Sequence, residues 1–262
     1  MAGRKALVTG GARGLGKAAA EALAKAGADV MISDILTDLG RDTAAEIARI
    51  GVKASFVAHD VTDDAAWEKA AAATVAELGG FDILINNAGI IVASPLIDMK
   101  ADDIRRLNDV NILGVALGIK HAFRSMRPGG AAGKGGAVVN LSSLAALTAP
   151  AMVGVYAATK SAVDRLTRVG AVESGRFGYG VRVNCVYPSL IQTDMGRNLA
   201  QDYATLGLFK DKEAALASSA GRSHIGGLAE PRDVANAIVF LCSDEARFIT
   251  GSGIPVEGGA GT

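Results

Sequence analysis

The sequence predicts an α/β fold in which a parallel β-sheet is covered by helices on both faces. Apolar runs of strand length alternate with longer helical stretches along almost the whole chain. Strands that read as continuous apolar runs are typical of parallel sheets buried on both faces. The 33 glycines, against only 6 prolines, cluster at the ends of these runs, where tight strand-to-helix turns are needed. These observations favour a three-layer, doubly wound arrangement.

The composition narrows the class of protein. Half of the 262 residues are hydrophobic, which is enough for a substantial core, and we expect residues 1–262 to form a single domain. The 27 basic and 27 acidic residues balance and form no basic stripe, which argues against a nucleic-acid partner. The N-terminus leads directly into a strand and no apolar run reaches about 18 residues. We therefore expect no signal peptide, no membrane span and a cytoplasmic protein.

The residues that often bind metals or form disulfides show no such pattern here. Cys185 and Cys242 lie inside apolar runs, and a pair this sparse predicts buried thiols. His59, His121 and His224 have no ligand spacing and are expected to be structural. We therefore predict no metal site.

The apolar periodicity places the elements along the chain. Strands are expected at residues 5–8, 29–34, 54–59, 82–87, 135–143, 180–187 and 253–257. Helices are expected from the glycine-rich turn to residue 26, at 38–50, 62–78 and 102–126, around Tyr156 and Lys160 to about residue 175, and at 231–242. Residues 189–225 form a looser, semi-helical segment that follows the carboxyl end of a strand. We interpret it as a mobile lid over an apolar substrate, and a rigid surface helix pair is the alternative.

The strongest binding signal is the turn between the first strand and the first helix. It reads Thr9-Gly10-Gly11-Ala12-Arg13-Gly14-Leu15-Gly16. Glycines let the backbone approach a pyrophosphate, and a helix N-terminus offers free N–H groups to an anion. The spacing Gly-x3-Gly-x-Gly departs from Gly-x-Gly-x-x-Gly. Its position at the first strand-to-helix junction nevertheless predicts a Rossmann-type dinucleotide site.

Acids and amides at the next strand ends refine this prediction. Asp34 ends the second strand, where a carboxylate binds the adenosine ribose and repels a 2′-phosphate, so NAD is favoured over NADP. Arg13 is a counterweight, because a cation in the turn can pair with such a phosphate. Asp60 suits an adenine amino group, although a helix N-cap is nearly as well supported. Asn87, after the fourth strand, either braces the nucleotide loops or belongs to a simple turn.

The candidate chemistry lies between Ser143 and Lys160. Tyr156 and Lys160 are four residues apart on a predicted helix and therefore lie on one face. An adjacent cation favours the phenolate, which makes the two residues a proton-transfer pair near neutral pH. Ser143, at the end of the fifth strand, can hold a substrate oxygen. Asn111 stands inside a predicted helix, where asparagine is locally unfavourable, so it is either exposed or part of a site.

Together these motifs resemble the classical short-chain dehydrogenase/reductase family over nearly the whole chain. The glycine turn resembles that family's cofactor turn, and Asn86-Asn87-Ala88-Gly89 resembles its strand-four motif. Asn111, Ser143, Tyr156 and Lys160 follow in the family's order. The glycine turn, followed by the acid Asp34 at the end of the second strand, is similar to the pattern in NAD-dependent hydroxysteroid and secondary-alcohol dehydrogenases.

The resemblance implies a role for each site residue. Tyr156 is the catalytic acid/base, Ser143 orients the substrate oxygen, and Lys160 lowers the phenol pKa and holds the nicotinamide ribose. Asn111 positions a water that relays protons from Lys160. Thr193 and the Ile191 backbone bind the carboxamide. The remaining implied cofactor residues are Leu15, Val61, Ala88, Gly89 and Pro188. The family usually has glycine where Ser189 stands, which serine can replace if its φ stays negative.

The implied activity is interconversion of a secondary alcohol and a ketone by hydride transfer to or from NAD. The apolar residues Met195, Leu199 and Phe209 of the lid suggest a hydrophobic or cyclic substrate, such as a steroid or alicyclic alcohol. A 3-oxoacyl-thioester reductase, normally NADPH-dependent, is an alternative, and a catalytically silent dinucleotide-binding sensor or scaffold is another. The resemblance also implies a homo-oligomer, a dimer or tetramer.

Overall fold

A seven-stranded parallel sheet forms the centre of the structure, a computed structural model that describes residues 1–262. The strand order is β3-β2-β1-β4-β5-β6-β7. The strands are β1 (Lys5–Thr9), β2 (Asp29–Asp34), β3 (Ala54–Ala58), β4 (Ile83–Asn86), β5 (Gly136–Leu141), β6 (Val181–Pro188) and β7 (Gly253–Val256). The order reverses between β1 and β4, and ligands of such sheets bind at the carboxyl ends beside this reversal.

Nine α-helices surround the sheet. They are α1 (Gly14–Lys25), α2 (Thr37–Ala48), α3 (Asp64–Leu78), α4 (Ala101–Asn108), α5 (Gly114–Met126), α6 (Gly154–Arg176), α7 (Asp194–Thr205), α8 (Lys212–Gly221) and α9 (Pro231–Cys242). Alternate strand residues point to opposite faces, so each face has its own core. Ala6 and Val8 of β1 lie in the core shared with α1, α2 and α9. Leu7 lies in the core shared with α3, α5 and α6.

The predicted fold class and strand order along the chain are confirmed, and two segments differ from the prediction. The continuous helix expected at 102–126 is α4 and α5 joined by a π-helical turn, Asp109–Leu113. The semi-helical segment 189–225 contains two defined helices, α7 and α8. None of the helices combines the length and the hydropathy that a membrane span requires. Both cysteines are buried and unpaired, as predicted.

Candidate active site

One large cavity, of about 1020 Å³, opens at the carboxyl ends of the strands. It extends from the glycine turn after β1 to the helices α7 and α8. The predicted site residues that line it are Gly10, Arg13, Gly14, Leu15, Gly16, Asp34, Asp60, Val61, Asn87, Ala88, Gly89, Ser143, Tyr156, Lys160, Pro188, Ile191 and Thr193. The fold therefore brings together segments that are far apart in the sequence.

The glycine turn is shaped to receive a phosphate group. Gly10 and Gly14 have positive φ values of 63° and 58°, which side chains other than glycine rarely adopt. A Cβ added to Gly14 would meet only the Thr193 methyl group, 4.0 Å away, so the space above this residue is open to a ligand. Arg13 precedes α1 without a side-chain cap, which leaves the first N–H groups of the helix free. These features fit the pyrophosphate of a dinucleotide.

Asn87 and Thr9 hold the turn in place. The Asn87 amide donates to the carbonyl oxygens of Thr9 (2.9 Å) and Gly10 (3.1 Å). The Thr9 hydroxyl in turn accepts from the backbone N–H groups of Asn87 and Ala88. Of the two interpretations that the sequence left open for Asn87, bracing of the loops is the one found. Thr9 was missed, although a hydroxyl residue directly before the glycine turn was a usable signal.

The two acids lie at the far end of the cavity from Tyr156. The Asp34 carboxylate accepts hydrogen bonds from the backbone N–H groups of Ala12 (3.1 Å) and Leu36 (3.0 Å), which ties β2 to the glycine turn. Asp60 is exposed and accepts from Thr62. The N-cap interpretation of Asp60 is wrong, because Asp63 caps α3 by accepting from Ala65. The Asp60 carboxylate accordingly lines the cavity as a surface acceptor.

Ser143, Tyr156 and Lys160 converge at the other end of the cavity. Ser143 follows β5 and its hydroxyl lies against the Tyr156 phenol, while also accepting from the Ala145 N–H. The Lys160 nitrogen lies 5.7 Å from the centre of the Tyr156 ring and donates to the Leu141 carbonyl oxygen at 2.7 Å. A phenol, a hydroxyl and an ammonium group thus meet beside the carboxyl end of β5.

The ionisation of this group differs from the sequence expectation. Burial raises the pKa of Tyr156, and the nearby Ser143 hydroxyl only partly counteracts this. Burial also lowers the pKa of Lys160 to about 8. Lys160 was expected to lower the phenol pKa, but its nitrogen is directed to the Leu141 carbonyl, and desolvation of the phenolate dominates.

Asn111 lies behind the cavity wall and does not line it. It is fully buried in the π-helical turn, so the exposed alternative is wrong. Its Oδ1 accepts from the Ile90 N–H, and its Nδ2 donates to the Ile90 carbonyl and the Thr159 hydroxyl, at 2.9 to 3.1 Å. A π-helical turn inserts one residue into a helix and is frequent at functional sites. Here it directs an amide towards the loop after β4.

Thr159 is a second residue that sequence reasoning missed. Its hydroxyl donates to the Tyr156 carbonyl oxygen at 2.7 Å and accepts from Asn111. It therefore joins the turn of α6 that carries Tyr156 to Asn111 of the π-helical turn. Its position between Tyr156 and Lys160 was an available signal.

The segment after β6 accommodates serine in place of the expected glycine. Met152 is the only residue other than glycine with positive φ, so Ser189 adopts its conformation without strain. Thr193 caps α7 by accepting from the Gly196 N–H at 3.2 Å. Ile191 is buried and bridges to Ala229. The φ of Ser189 is therefore not positive, which is the condition under which serine can replace the glycine.

Comparison with known proteins agrees with this geometry. A family model described as enoyl-(acyl carrier protein) reductase matches residues 10–261. A 2,5-dichloro-2,5-cyclohexadiene-1,4-diol dehydrogenase of Sphingobium indicum is 36% identical, with 99% of this chain and 96% of the relative covered. A 3-alpha-(or 20-beta)-hydroxysteroid dehydrogenase of Mycobacterium bovis is 36% identical over 99% of this chain and 90% of the relative. This chain belongs to the short-chain dehydrogenase/reductase family and is an enzyme of the dehydrogenase class.

A solved structure extends the likeness to the cofactor. The crystal structure of an NAD⁺-bound xylitol dehydrogenase superposes with a TM-score of 0.93 at 27% identity, covering 98% of this chain and 99% of that chain. The family binds NAD or NADP, and the glycine turn described above fits such a cofactor. No group of three or more His, Cys, Asp and Glu side chains is placed to hold a metal ion.

Proposed function

We propose that the enzyme oxidises a cyclic secondary alcohol to a ketone with NAD, and that it catalyses the reverse reduction. The observation that carries this proposal is the convergence of Ser143, Tyr156 and Lys160 in the cavity that also contains the glycine turn. The two curated relatives are named for a cyclohexadienediol and for hydroxysteroids, both of which are ring alcohols. Apolar lining residues such as Leu199 and Phe209 suit such a ring.

In the proposed mechanism two residues, Ser143 and Tyr156, act on the carbinol. The Ser143 hydroxyl donates to the substrate oxygen, and ionised Tyr156 takes the hydroxyl proton as hydride leaves the carbon. Bound NAD⁺ supplies the hydride acceptor, and its positive charge favours the phenolate. The Lys160 amine is the next group in the proposed proton relay from Tyr156 towards solvent. Both amide hydrogens of Asn111 are already used, so a relay water has only acceptor atoms of that residue available.

The preference for NAD rests on Asp34. Its carboxylate lines the cavity at the end of β2, where it would accept hydrogen bonds from the adenosine ribose and repel a 2′-phosphate. Arg13 also lines the cavity and is exposed. The Asp34 carboxylate is fixed by two backbone hydrogen bonds, whereas the Arg13 guanidinium is mobile and solvated. We therefore expect the repulsion of a 2′-phosphate by Asp34 to outweigh its attraction by Arg13.

The deciding experiment measures absorbance at 340 nm with a panel of cyclic secondary alcohols and with each cofactor. We expect reduction of NAD at a higher kcat/KM than reduction of NADP. Faster NADPH-dependent reduction of a 3-oxoacyl thioester would instead support the acyl reductase. Binding of NAD without turnover of any alcohol or ketone would support a silent sensor.

We further propose that residues 1–262 form one domain whose mobile part is the segment 189–225. Within it, the ring of Tyr203 of α7 packs at a tilt against that of Phe209, with ring centroids 6.1 Å apart, and both line the cavity. If this segment closes over ligands, NAD together with a ketone should protect it from limited proteolysis. Cleavage at the same rate with and without ligands would support a rigid helix pair.

We also propose that the enzyme assembles as a dimer or tetramer. The outer face of α6 carries the apolar side chains Val169 and Val172, which are 45% and 67% exposed, and Phe177 follows at 60%. A second copy can bury this face. Light scattering after gel filtration should give a mass of two or four chains, and Val172→Glu should lower it.

A further inference from the structure

Helix α6, which carries Tyr156, is tied to the β5 side of the site by two hydrogen bonds of Lys160. The Lys160 ammonium donates to the Leu141 carbonyl oxygen at 2.7 Å. The Lys160 carbonyl oxygen accepts from the buried Ser142 hydroxyl at 2.8 Å. These two bonds hold the helix against the end of β5, where Ser143 follows.

On the β4 side, one hydroxyl makes the corresponding connection. Thr159 donates to the Tyr156 carbonyl oxygen at 2.7 Å and accepts from the Asn111 amide at 3.1 Å. The Asn111 amide also pairs with both backbone polar groups of Ile90, which lines the cavity next to Gly89 in the loop after β4. A continuous chain of hydrogen bonds therefore runs from the loop expected to hold the cofactor to the turn that carries Tyr156.

The same chain of hydrogen bonds comes close to Lys160. A Cβ added to Gly89 would lie 3.3 Å from Asn111 Oδ1 and 3.4 Å from the Lys160 nitrogen, so both polar atoms border one point in front of this glycine. The residues Asn111, Thr159 and Lys160 are only 0%, 1% and 5% exposed. Hydrogen bonds buried this deeply hold their geometry, because breaking one would leave its donor without a partner in the protein or in water.

We propose that Thr159 is a positioning residue, which keeps the Tyr156 phenol aligned with the bound cofactor. Thr159 does not line the cavity, so it acts through Tyr156 and not on the ligands. Without its hydroxyl, the turn of α6 is released from Asn111 on the β4 side, while Lys160 still holds the helix to β5. The phenol then stays beside Ser143 and loses its alignment with the nicotinamide. This inference rests on the proposed oxidation of ring alcohols by NAD.

The test compares Thr159→Val with Thr167→Val on the same helix. Thr167 is the matched control, because it is also fully buried, donates to the Val163 carbonyl oxygen at 2.8 Å and accepts from the buried Asn140 amide at 2.9 Å. None of these three control residues lines the cavity. Both substitutions remove one hydroxyl and keep the shape of the side chain.

We expect kcat of Thr159→Val, with the best alcohol of the panel, to fall by about tenfold, because small misalignments of reacting groups are costly. The dissociation constant of NAD from fluorescence titration should change little, and Thr159→Ser should return kcat close to the parent value. Thr167→Val should keep the parent kcat. In the ligand-free enzyme, hydrogen–deuterium exchange in residues 154–160 should be faster in Thr159→Val and unchanged in Thr167→Val.

An unchanged kcat in Thr159→Val, or an equal loss in Thr167→Val, would overturn the inference. A Thr159→Ser enzyme as slow as Thr159→Val, or equal hydrogen exchange in the parent and Thr159→Val, would do the same. Thr159→Ala also removes the hydroxyl and replaces the valine variant in the comparison if urea unfolding shows that the latter is not folded. Turnover of any alcohol by the parent enzyme leaves the proposed function standing in each case, whereas a parent enzyme that oxidises none ends both proposals.

Discussion

The cofactor end and the substrate end of the cavity are built in different ways. At the cofactor end, the glycine turn, the free N-terminus of α1 and the Asn87 amide form the site mainly from backbone groups. At the substrate end, the wall is made of side chains from α6, α7 and the residues after α8. A backbone site constrains the residue types that form it, whereas a side-chain wall can vary without altering the fold.

Single substitutions should therefore have different effects at the two ends of the cavity. At Gly16 of the cofactor end, an added methyl group would meet the Gly10 carbonyl oxygen, a main-chain atom that cannot move independently. At the substrate end, a removed hydroxyl changes the chemistry and leaves the packing intact. We therefore expect cofactor-end variants to lose binding or stability, and substrate-end variants to lose turnover or selectivity.

The largest expected effect is that of Tyr156→Phe, which removes one oxygen at the junction of the two ends. Without the phenol, no group is positioned to take the carbinol proton, so kcat should fall by about 10³-fold. NAD binding, measured by fluorescence titration, should change little. The control is Tyr179→Phe, because Tyr179 packs at a tilt against Phe123 and Phe177 outside the cavity. Turnover within tenfold of the parent enzyme would remove Tyr156 from the mechanism.

The next effect is a loss of both stability and NAD binding in Gly16→Ala. A Cβ at Gly16 would lie 2.1 Å from the Gly10 carbonyl oxygen and 2.4 Å from the Asn87 amide nitrogen. Overpacking of this kind costs about 1–3 kcal/mol, and moving Asn87 also disturbs the phosphate turn. Urea unfolding and NAD titration measure the two losses.

The matched control for this substitution is Gly175→Ala. Gly175 also lies in a helix, α6, but it is exposed and an added Cβ meets nothing within 4 Å. Alanine there should stabilise the enzyme by about 0.5–1 kcal/mol. Similar behaviour of the two variants would show that helix propensity, and not the close approach at Gly16, controls the outcome.

The glycine turn and the strand order could be predicted because their signals are local. Gly10, Gly14 and Gly16 follow directly after an apolar run. The periodicity of apolar residues and the residue types of a turn can both be recognised within a window of about 15 residues. The π-helical turn could not be predicted, because it depends on the pairing of Asn111 with Ile90 from another part of the chain. A sequence window around Asn111 contains only an ordinary helical pattern.

The pKa shifts of the site residues could not be predicted from the sequence either. Four-residue spacing correctly predicted that Tyr156 and Lys160 share one face of a helix. The direction of the pKa shifts depends on burial and on the Leu141 carbonyl, which β5 presents to Lys160. Likewise, Asp60 and Asp63 are alternative caps by sequence, and only the chain path between β3 and α3 distinguishes them.

A smaller effect should appear at the cofactor end on acidification. His59 is 4% exposed, lies edge-on to Trp67, and has no partner for its Nε2. Burial lowers its pKa from 6.5 to about 4. Because the unfolded chain then binds the proton more readily, stability falls as the pH decreases through this window. Between pH 7.5 and pH 5 this histidine alone should cost about 2 kcal/mol.

Urea unfolding at these two pH values tests the prediction for His59. His59→Leu should remove most of the difference in the free energy of unfolding that the histidine causes, and His224→Gln, at an exposed position, is the control. If the parent enzyme and His59→Leu lose the same stability on acidification, other groups control the acid response.

The smallest effect tests whether a side-chain charge matters at the end that is otherwise built from backbone. Asp34→Asn removes the negative charge but keeps an oxygen that can accept from Ala12 or Leu36. The ratio of kcat/KM for NAD to that for NADP should then fall by about tenfold, which corresponds to about 1.4 kcal/mol. Asp38→Asn is the control, since that carboxylate is 98% exposed and does not line the cavity. A ratio unchanged in Asp34→Asn would mean that the shape of the turn selects the cofactor, and the comparison between a backbone end and a side-chain end would then hold without exception.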